Sequence, residues 1–437
     1  MKKQIDLDIT KRYDFPKNIC IVEHHDVYLV IAVDTACWIV LSKAQLDFFN
    51  LLRENSIENA LNLFIGNRKD AEWVLIQLEA RQFCSNECIP YKESTCMIYL
   101  TNECNLRCPH CFLSAGIAKQ NELSTEEIEN LLDGIVGYGI KSVTFSGGEI
   151  AIRQDLLHII DYACSIGLSV TLLTNGTLWT KEMISLVAKK VSSVQISIDG
   201  YSDEENSRIR GYGNFQKALE ALDYFMMYGV KTQIAVTPYP DNLLHEKVNL
   251  YADFAKALKR KYDNSSNLKI VFTSGFMDGR SISLSPQQRE DYRNTMNNVM
   301  KEYLDEDARD YPFVLDHQQR KIMTNCSYGC LNISSDGDVY ICSRAGLKPI
   351  ANIRTHSLSD IMAKSKMAAD LSYIDNLVPC STCHLKYICG GGCRVDEFPS
   401  MKTGPYQLES KPTRTCTDSV KQDFYDLMIR TNQLIFQ

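Results

Sequence analysis

Between residue 96 and about residue 275 the sequence repeats one pattern, a β-branched or aromatic run followed by a helical pattern. Six such runs follow one another along the chain: TCMIYLT, SVTFS, LSVTLLT, SVQISI, KTQIAVT and LKIVFT. The stretches between them, for example NFQKALEALDYFMMYG, place apolar residues at helical spacing. Strands that alternate with helices favour a parallel sheet, and we predict an α/β fold built on a partial (β/α)6 TIM-like barrel. In such a barrel the functional groups lie at the carboxyl ends of the strands.

Three cysteines, Cys104, Cys108 and Cys111, lie on the loop after the first predicted strand, in the sequence CNLRCPHC. A structural zinc site normally uses four ligands, and a disulfide framework uses an even number of cysteines. Three thiolates can instead hold three irons of a four-iron, four-sulfur cluster and leave the fourth iron open, as a catalytic metal site requires. A zinc site or an incidental group of thiols is the alternative for this spacing taken alone.

Composition and charge support a metal as the explanation for these thiols. The chain has 437 residues and a formal net charge of -7, so nucleic acid and acidic membranes are not expected as partners. Its opening contains no signal region, and its most apolar stretch, VYLVIAVDTACWIVL, is too short to span a membrane. We therefore expect a cytoplasmic protein whose cysteines stay reduced. Six single cysteines are expected to be small buried apolar side chains: Cys20, Cys37, Cys84, Cys88, Cys96 and Cys164.

The CX3CX2C spacing, with His110 before the last cysteine, resembles the signature of the radical S-adenosylmethionine enzymes. Further elements of that family follow the next strands, in order SGGE, TNGT, SIDG and RG. The resemblance implies an S-adenosylmethionine site formed by Gly147, Gly148, Glu149, Asn175, Ser197 and Arg210. It implies that Glu149 receives the methionine ammonium, and that Ser197 and Arg210 contact the ribose and the carboxylate. A glycine-rich strand-to-helix turn is the alternative for the SGGE element alone.

Eight more cysteines fall between residues 326 and 416 and resemble the SPASM domain, a C-terminal extension that carries two auxiliary four-iron clusters. The resemblance implies a first auxiliary cluster on Cys326, Cys330, Cys342 and Cys393. It implies a second on Cys380, Cys383, Cys389 and Cys416, which gives three [4Fe-4S] clusters in all. Cys330 departs from the family pattern, because the spacing after the first ligand is usually longer. A zinc ribbon could use four of these thiols but not eight.

Residues 1 to 90 predict short antiparallel strands within NICIVEHHDVYLVIAVDTACWIVLS, followed by three amphipathic helices. The pattern resembles the recognition elements of ribosomally synthesised, modified peptides (RiPPs), which are winged-helix-like α+β modules. The resemblance implies binding of a leader peptide by its addition to a sheet edge. A small α+β cap is the alternative. We predict three domains: 1–90 for recognition, 91–310 for the barrel, and 311–437 for the bridging segment and the cysteine-rich iron-sulfur domain.

The three parts together resemble RiPP maturases. We expect an oxidoreductase that makes an intramolecular cross-link in the core of a precursor peptide, starting from hydrogen abstraction by a 5′-deoxyadenosyl radical. A carbon-carbon bond of the lysine-tryptophan type is favoured, as in streptide-type enzymes, and a thioether is the alternative. Anaerobic sulfatase maturation is a further alternative, although Ser343 stands where those enzymes have a proposed aspartate base. Asp316, beside His317, is the candidate general base here, and a pair of solvated loop residues is the alternative. The expected partners are the precursor peptide and an electron donor such as flavodoxin or ferredoxin.

Overall fold

Two compact units make up the chain. The computed structural model describes residues 8–85, 89–91, 95–304, 320–344, 348–402 and 410–436. The first unit comprises the described parts of 1–92, 308–326 and 371–437, and the second those of 93–307 and 327–370. The three-part division into domains that the sequence suggests stays a prediction.

The N-terminal part of the first unit combines a three-stranded antiparallel sheet with three helices. The strands, in their order across the sheet, are β1 (Ile19–His24), β2 (Val27–Ala32) and β3 (Cys37–Leu41). The helices are α1 (Lys43–Glu54), α2 (Ile57–Leu63) and α3 (Arg68–Ala80), and a short strand, β4 (Ile89–Tyr91), follows. Helix α1 begins at a capping box formed by Ser42 and Gln45. Phe48, Phe49 and Leu52 belong to a fully buried apolar core.

The second unit is built on a parallel sheet whose first six strands follow chain order. They are β5 (Thr95–Thr101), β6 (Ser142–Gly147), β7 (Ser169–Thr174), β8 (Ser193–Ser197), β9 (Lys231–Val236) and β10 (Leu268–Phe272). Each strand pairs in parallel with the next. The helices are α4 (Thr125–Gly137), α5 (Leu156–Ser165), α6 (Lys181–Val187), α7 (Asp203–Arg210), α8 (Asn214–Met227), α9 (Val248–Lys261) and α10 (Pro286–Leu304). The predicted partial barrel is confirmed.

Alternation along the strands separates the apolar core from the face that carries function. In β8, Val194 and Ile196 are at most 1% exposed, whereas Gln195 and Ser197 are partly exposed. Successive side chains of a strand point to opposite faces of the sheet. The apolar set therefore forms the core, and the polar set stays on the other face, where a ligand can reach it.

Three short strands extend this sheet beyond β5, which the sequence did not predict. They are β12 (Asn332–Ile333), β13 (Asp338–Tyr340) and β14 (Ala351–Asn352). The strand that precedes them, β11 (Arg320–Ile322), belongs to the first unit and pairs there with β4. Strand β12 pairs in parallel with β5, so the sheet of the second unit has the order β10-β9-β8-β7-β6-β5-β12-β13-β14. Strands of two or three residues are too short for a periodic pattern.

Four further α-helices lie after β14 in the described residues: α11 (Leu358–Ser372), α12 (Lys386–Cys389), α13 (Pro399–Lys402) and α14 (Asp418–Phe436). Helix α14 packs on the N-terminal sheet of the first unit, where Nε1 of Trp38 donates a 3.3 Å hydrogen bond to the carbonyl oxygen of Met428. In the ranges that the structure describes, none of the helices combines the length and the apolar character that a membrane crossing needs.

Candidate active site

The three cysteines of the triplet lie on the loop after β5, within the second unit. The amide of Cys104 donates to the carbonyl of Gly116 at 3.2 Å, and the amide of Cys111 donates to the carbonyl of Cys108 at 3.2 Å. These bonds fold the loop so that all three cysteines line one cavity of about 310 Å³. Residues from the carboxyl ends of the barrel strands complete its wall, so the cavity lies where the sequence placed the functional face.

Most residues of the predicted cofactor site meet at this cavity. Those that line it are Gly147, Gly148, Asn175, Ser197 and Arg210. Glu149 is not among the lining residues. Polar residues that the sequence analysis did not select also line it: Gln195, Asp199, Thr237 and Thr273. The cofactor contacts of each residue stay a prediction, while their convergence on the three thiols is a property of the fold.

The two glycines of the SGGE element hold the start of the cysteine loop against β6. Gly147 has a φ of +142°, and a Cβ there would collide with the carbonyl oxygen of Thr101. A Cβ on Gly148 would collide with the carbonyl oxygen of Glu103. The amide of Gly148 donates to that Thr101 oxygen at 2.8 Å. Glycine is therefore needed at both positions for close approach of two backbone segments.

Glu149 is fully buried and its carboxylate is bonded to the protein. Oε1 accepts from the hydroxyl of Thr174 at 2.6 Å and from the amide of Ala151 at 3.1 Å, and Oε2 accepts from the amide of Asn175 at 2.8 Å. Burial raises the pKa of Glu149, and these hydrogen bonds oppose that shift. The carboxylate thus holds in place Thr174, the last residue of β7, and Asn175, the cavity residue that follows it.

Asp199 organises the opposite side of the cavity. Its Oδ2 accepts a 2.6 Å hydrogen bond from Nε of Arg210, and its Oδ1 accepts from the amide of Thr237 at 2.9 Å. Nε2 of His110 lies 3.5 Å from the same Oδ2, and burial lowers the pKa of this histidine. Nδ1 of His110 is buried without a hydrogen-bond partner among the described residues, and a ligand in the cavity could satisfy it.

The thiols of the triplet sit in surroundings suited to a metal cluster. Burial raises the pKa of Cys104 and of Cys108, and the Arg210 guanidinium partly offsets the effect for both. Without a metal, the raised pKa would keep Cys104 and Cys108 protonated, but coordination to a metal deprotonates such thiols. Three soft donors on one cavity wall beside a buried cation fit an iron-sulfur cluster with one position open.

A second group of thiols meets in the first unit. Cys380, Cys383, Cys389 and Cys416, predicted for the second auxiliary cluster, line one cavity of about 280 Å³. Arg414 also lines it, with Nη2 3.6 Å from the sulfur of Cys416 and a contact to the Glu397 carboxylate. Burial raises the pKa of Cys380 and Cys389. Four thiols beside one guanidinium fit a fully ligated cluster, whose negative charge the arginine would offset.

The other predicted set falls on both units. Cys326 and Cys393 belong to the first unit, and Cys330 and Cys342 belong to the second. Cys342 lines a cavity of about 260 Å³ within the second unit, together with Tyr99 of β5. This ligand set stays a prediction. Asp316 and His317 lie outside the described residues, so the general base also stays a prediction.

Comparison with known proteins finds two domain families that overlap these sites. Residues 98–251 match the Radical SAM superfamily, and residues 325–384 match SPASM, an iron-sulfur cluster-binding domain. The chain therefore carries a radical S-adenosylmethionine barrel followed by a SPASM domain. These domains imply S-adenosylmethionine and iron-sulfur clusters as cofactors.

The sequence and structure matches to individual relatives cover different shares of the chain. An AdoMet-dependent heme synthase of Methanosarcina barkeri is 29% identical over 72% of this chain and 93% of its own length. The mycofactocin maturase MftC of Mycolicibacterium smegmatis is 34% identical over 37% of this chain, but the match spans only 42% of MftC. The crystal structure of Streptococcus suis SuiB bound to precursor peptide SuiA covers 91% of this chain and all of that chain, with a TM-score of 0.52 and 17% identity. At that identity the likeness shows a shared fold.

Proposed function

We propose that this protein is a RiPP maturase that binds the leader of a precursor peptide and cross-links two residues of its core, with a carbon-carbon bond favoured. The observation that carries the proposal is the combination on one chain of the three-thiol cavity, a second thiol cavity and the N-terminal strand-helix module. A fold shared with a peptide-bound structure over 91% of this chain supports a peptide substrate.

The cavity of the second unit has the groups that this chemistry needs from the protein. When bound, the cluster and S-adenosylmethionine supply a 5′-deoxyadenosyl radical. Cys104, Cys108 and Cys111 would hold the cluster, and Asn175 and Arg210, which line the same cavity, would orient the cofactor. The apolar residues Phe112 and Phe276, also at the cavity, would limit the access of water.

Formation of the cross-link removes two hydrogen atoms from the peptide. One would be taken by the 5′-deoxyadenosyl group, and the other would leave the peptide as a proton and an electron. A cluster held by Cys380, Cys383, Cys389 and Cys416 would carry this electron away, because a cluster with four thiolate ligands suits electron transfer. A flavodoxin or ferredoxin would be the donor of the electron that cleaves S-adenosylmethionine. The proton acceptor is proposed to be Asp316.

The edges of the N-terminal sheet suggest where the leader binds. On the outer edge of β3, the side-chain amide of Gln77 bonds both the N–H and the C=O of Val40, at 3.1 and 2.9 Å. The guanidinium of Arg81 donates to the carbonyl of Trp38 at 3.2 Å. An added strand would have to displace these buried side chains. The other edge strand, β1, is therefore the proposed site for leader addition.

One experiment separates the candidates. The reduced, reconstituted protein is incubated with S-adenosylmethionine and candidate precursors from small reading frames adjacent to its gene. We expect one precursor to lose two hydrogen atoms, and tandem mass spectrometry to place a carbon-carbon link in its core. A link through a cysteine sulfur would favour the thioether alternative, and oxidation of one residue without a link would favour sulfatase-type maturation.

The long match to a heme synthase supports a second candidate, since it covers 93% of that protein. The match covers 72% of this chain, so the other 28% has no counterpart in that alignment. Conversion of a porphyrin precursor to heme, with no change in any peptide, would replace the maturase proposal.

A further inference from the structure

We propose that His24, His25 and Asp426 form a binding site for one divalent transition metal ion, of which Zn²⁺ is the probe. Nε2 of His24 lies 2.6 Å from Oδ1 of Asp426, and Nε2 of His25 lies 3.1 Å from the same oxygen. One ligand atom from each of the three side chains lies within 4.8 Å of the others. The site belongs to the first unit and uses none of the cysteines assigned to clusters.

The backbone explains how two consecutive histidines reach one carboxylate. His24 ends β1, and a two-residue connection, His25 and Asp26, leads into β2. His25 has a φ of +51°, the left-handed conformation that such tight turns require. In a continuous strand the side chains of His24 and His25 would point to opposite faces of the sheet, but the turn lets both reach the same carboxylate. Asp426 projects from helix α14, so the three donors come from two elements that the fold already packs together.

The donor set and its spacing suit a small borderline cation. Two imidazoles and one carboxylate favour zinc and its neighbours over Mg²⁺ or Ca²⁺, which prefer oxygen ligands. With bonds of about 2.0 to 2.1 Å, the ligand atoms of a tetrahedral zinc site stand about 3.3 Å apart. The two nitrogen-to-oxygen separations of 2.6 and 3.1 Å need to widen by less than 1 Å, and the two histidine nitrogens, within 4.8 Å of each other, need to approach by at most about 1.5 Å. The His25 side chain is 70% exposed, so water can take the fourth position.

Residues beside the proposed ion connect it to a predicted cluster ligand. The ring of Tyr425 lies 5.3 Å from that of His24, and its hydroxyl is 2.7 Å from Nε2 of His384. His384 directly follows the predicted cluster ligand Cys383. A bound ion would join the β1–β2 hairpin to helix α14, whose Tyr425 contacts the segment of Cys383 and His384. The ion would replace the two hydrogen bonds that now link the histidines to Asp426.

The test measures zinc binding on the reconstituted holoenzyme, in which iron occupies the cluster thiols. Wild type should retain one added Zn²⁺ per chain on gel filtration and show one saturable site by calorimetry. His25→Asn keeps a residue that tolerates the left-handed turn but removes the imidazole, and Asp426→Asn removes the carboxylate. Each change should weaken zinc binding at least about tenfold, because one of three ligands is lost.

A matched control uses the exposed pair of His158 and Glu129, in which Nε2 lies 2.6 Å from the carboxylate but a third donor is not found among the described residues. His158→Asn should bind zinc as wild type does. Iron content and far-UV circular dichroism, equal in all four proteins, show that the fold and the clusters are intact. Equal zinc affinity in His25→Asn and wild type, or no zinc retained by wild type, would show that the three residues only form hydrogen bonds with one another and would overturn the proposal.

Discussion

Arg210 donates a 2.6 Å hydrogen bond to Asp199 at the wall of the three-thiol cavity, and both side chains are largely withdrawn from solvent. Asp199 is 1% exposed, and Arg210 is 11% exposed. Because the second oxygen of Asp199 is held by the amide of Thr237, the carboxylate cannot turn away from the guanidinium. Asp199 thus fixes the position of the cation that faces the cavity.

Asp199→Asn should weaken S-adenosylmethionine binding about tenfold without loss of iron. The change keeps the shape but removes the counter-charge, and a hydrogen bond to a charged group contributes about 1.5 to 3 kcal/mol. Affinity is measured by titrating the cofactor-induced change in the EPR signal of the reduced cluster. The control is Asp241→Asn, which breaks a similar pair with Arg208 at 2.6 Å outside that cavity and should leave affinity unchanged. Equal affinities in the two variants would remove Asp199 from the cofactor site.

Glu149→Gln should weaken S-adenosylmethionine binding about thirtyfold, which corresponds to roughly 2 kcal/mol for a charge-assisted hydrogen bond. The structure suggests that this effect acts through the end of β7, because Glu149 bonds Thr174 and Asn175. Thr174→Val removes one of those bonds and keeps the carboxylate, so its loss of affinity should be comparable. Affinity is again titrated by EPR. A large loss of affinity in Glu149→Gln with none in Thr174→Val would indicate that Glu149 contacts the methionine ammonium directly. No loss of affinity in either variant would show that Glu149 serves only as a turn residue.

Features that depend on a local sequence pattern could be predicted from the sequence. Contacts between residues that are distant in the chain and meet only in the folded barrel could not. The strands of the barrel have clear period-two alternation, and the cysteine triplet is a contiguous motif, so both could be located by inspection. Asp199 stood in a quoted motif, but its importance comes from Arg210 and Thr237, which meet it only in the folded barrel. The buried Glu149 likewise accepts a hydrogen bond from Thr174, the last residue of the next strand, which local sequence pattern could not indicate.

Iron content tests the assignment of the cysteines. With eleven ligands holding three clusters, reconstituted wild type should bind about twelve irons. The triple alanine variant of Cys104, Cys108 and Cys111 should lose about four of them and all turnover. Replacing Cys380 and Cys383 should also remove about four. Cys164→Ala is the control, since its thiol donates to the carbonyl of Lys190, away from both thiol cavities, and should lose none. Saturation of wild type at about four irons would contradict the auxiliary clusters.

The pair of Glu127 and Arg354 should couple helix α4 to the turn after β14 within the second unit. The guanidinium binds the carboxylate through Nε at 2.5 Å and Nη2 at 2.8 Å. The hydrogen bond from Arg354 lowers the pKa of Glu127 to about 2, so the stabilisation is present above pH 4.5 and is lost as the pH falls toward 2. Both side chains are about one-third exposed, so we expect only about 0.5 to 1 kcal/mol of coupling.

A double-mutant cycle with Glu127→Gln and Arg354→Gln measures this coupling from the hydrogen exchange of the first turn of α4. The coupling should be equal at pH 7 and pH 6, because both lie far above the lowered pKa of Glu127. It should shrink in about 1 M salt, which screens exposed charges. Additive effects of the two changes at low salt would show that the pair contributes no coupling.

Recognition of the leader is difficult to test by truncation, because residues 1–92 share a compact unit with residues 371–437. Deleting residues 1–90 would leave the carbonyl of Met428 without its bond from Trp38 and expose the face of α14 that packs there. A loss of activity after deletion would therefore not distinguish recognition from unfolding. A point change on the proposed edge strand gives a cleaner measurement.

Ile21→Pro should lower modification of the full-length precursor at least about tenfold. In the pairing of β1 with β2, the amide of Ile21 faces the outer edge, so proline removes a donor to an added strand and keeps the bonds within the sheet. Uncoupled 5′-deoxyadenosine formation should continue, because the cavity is in the other unit. Ile65→Ser, a change at an exposed residue of the same module, should leave modification intact. Equal modification by Ile21→Pro and wild type, with leader dependence retained, would place the leader elsewhere than on β1.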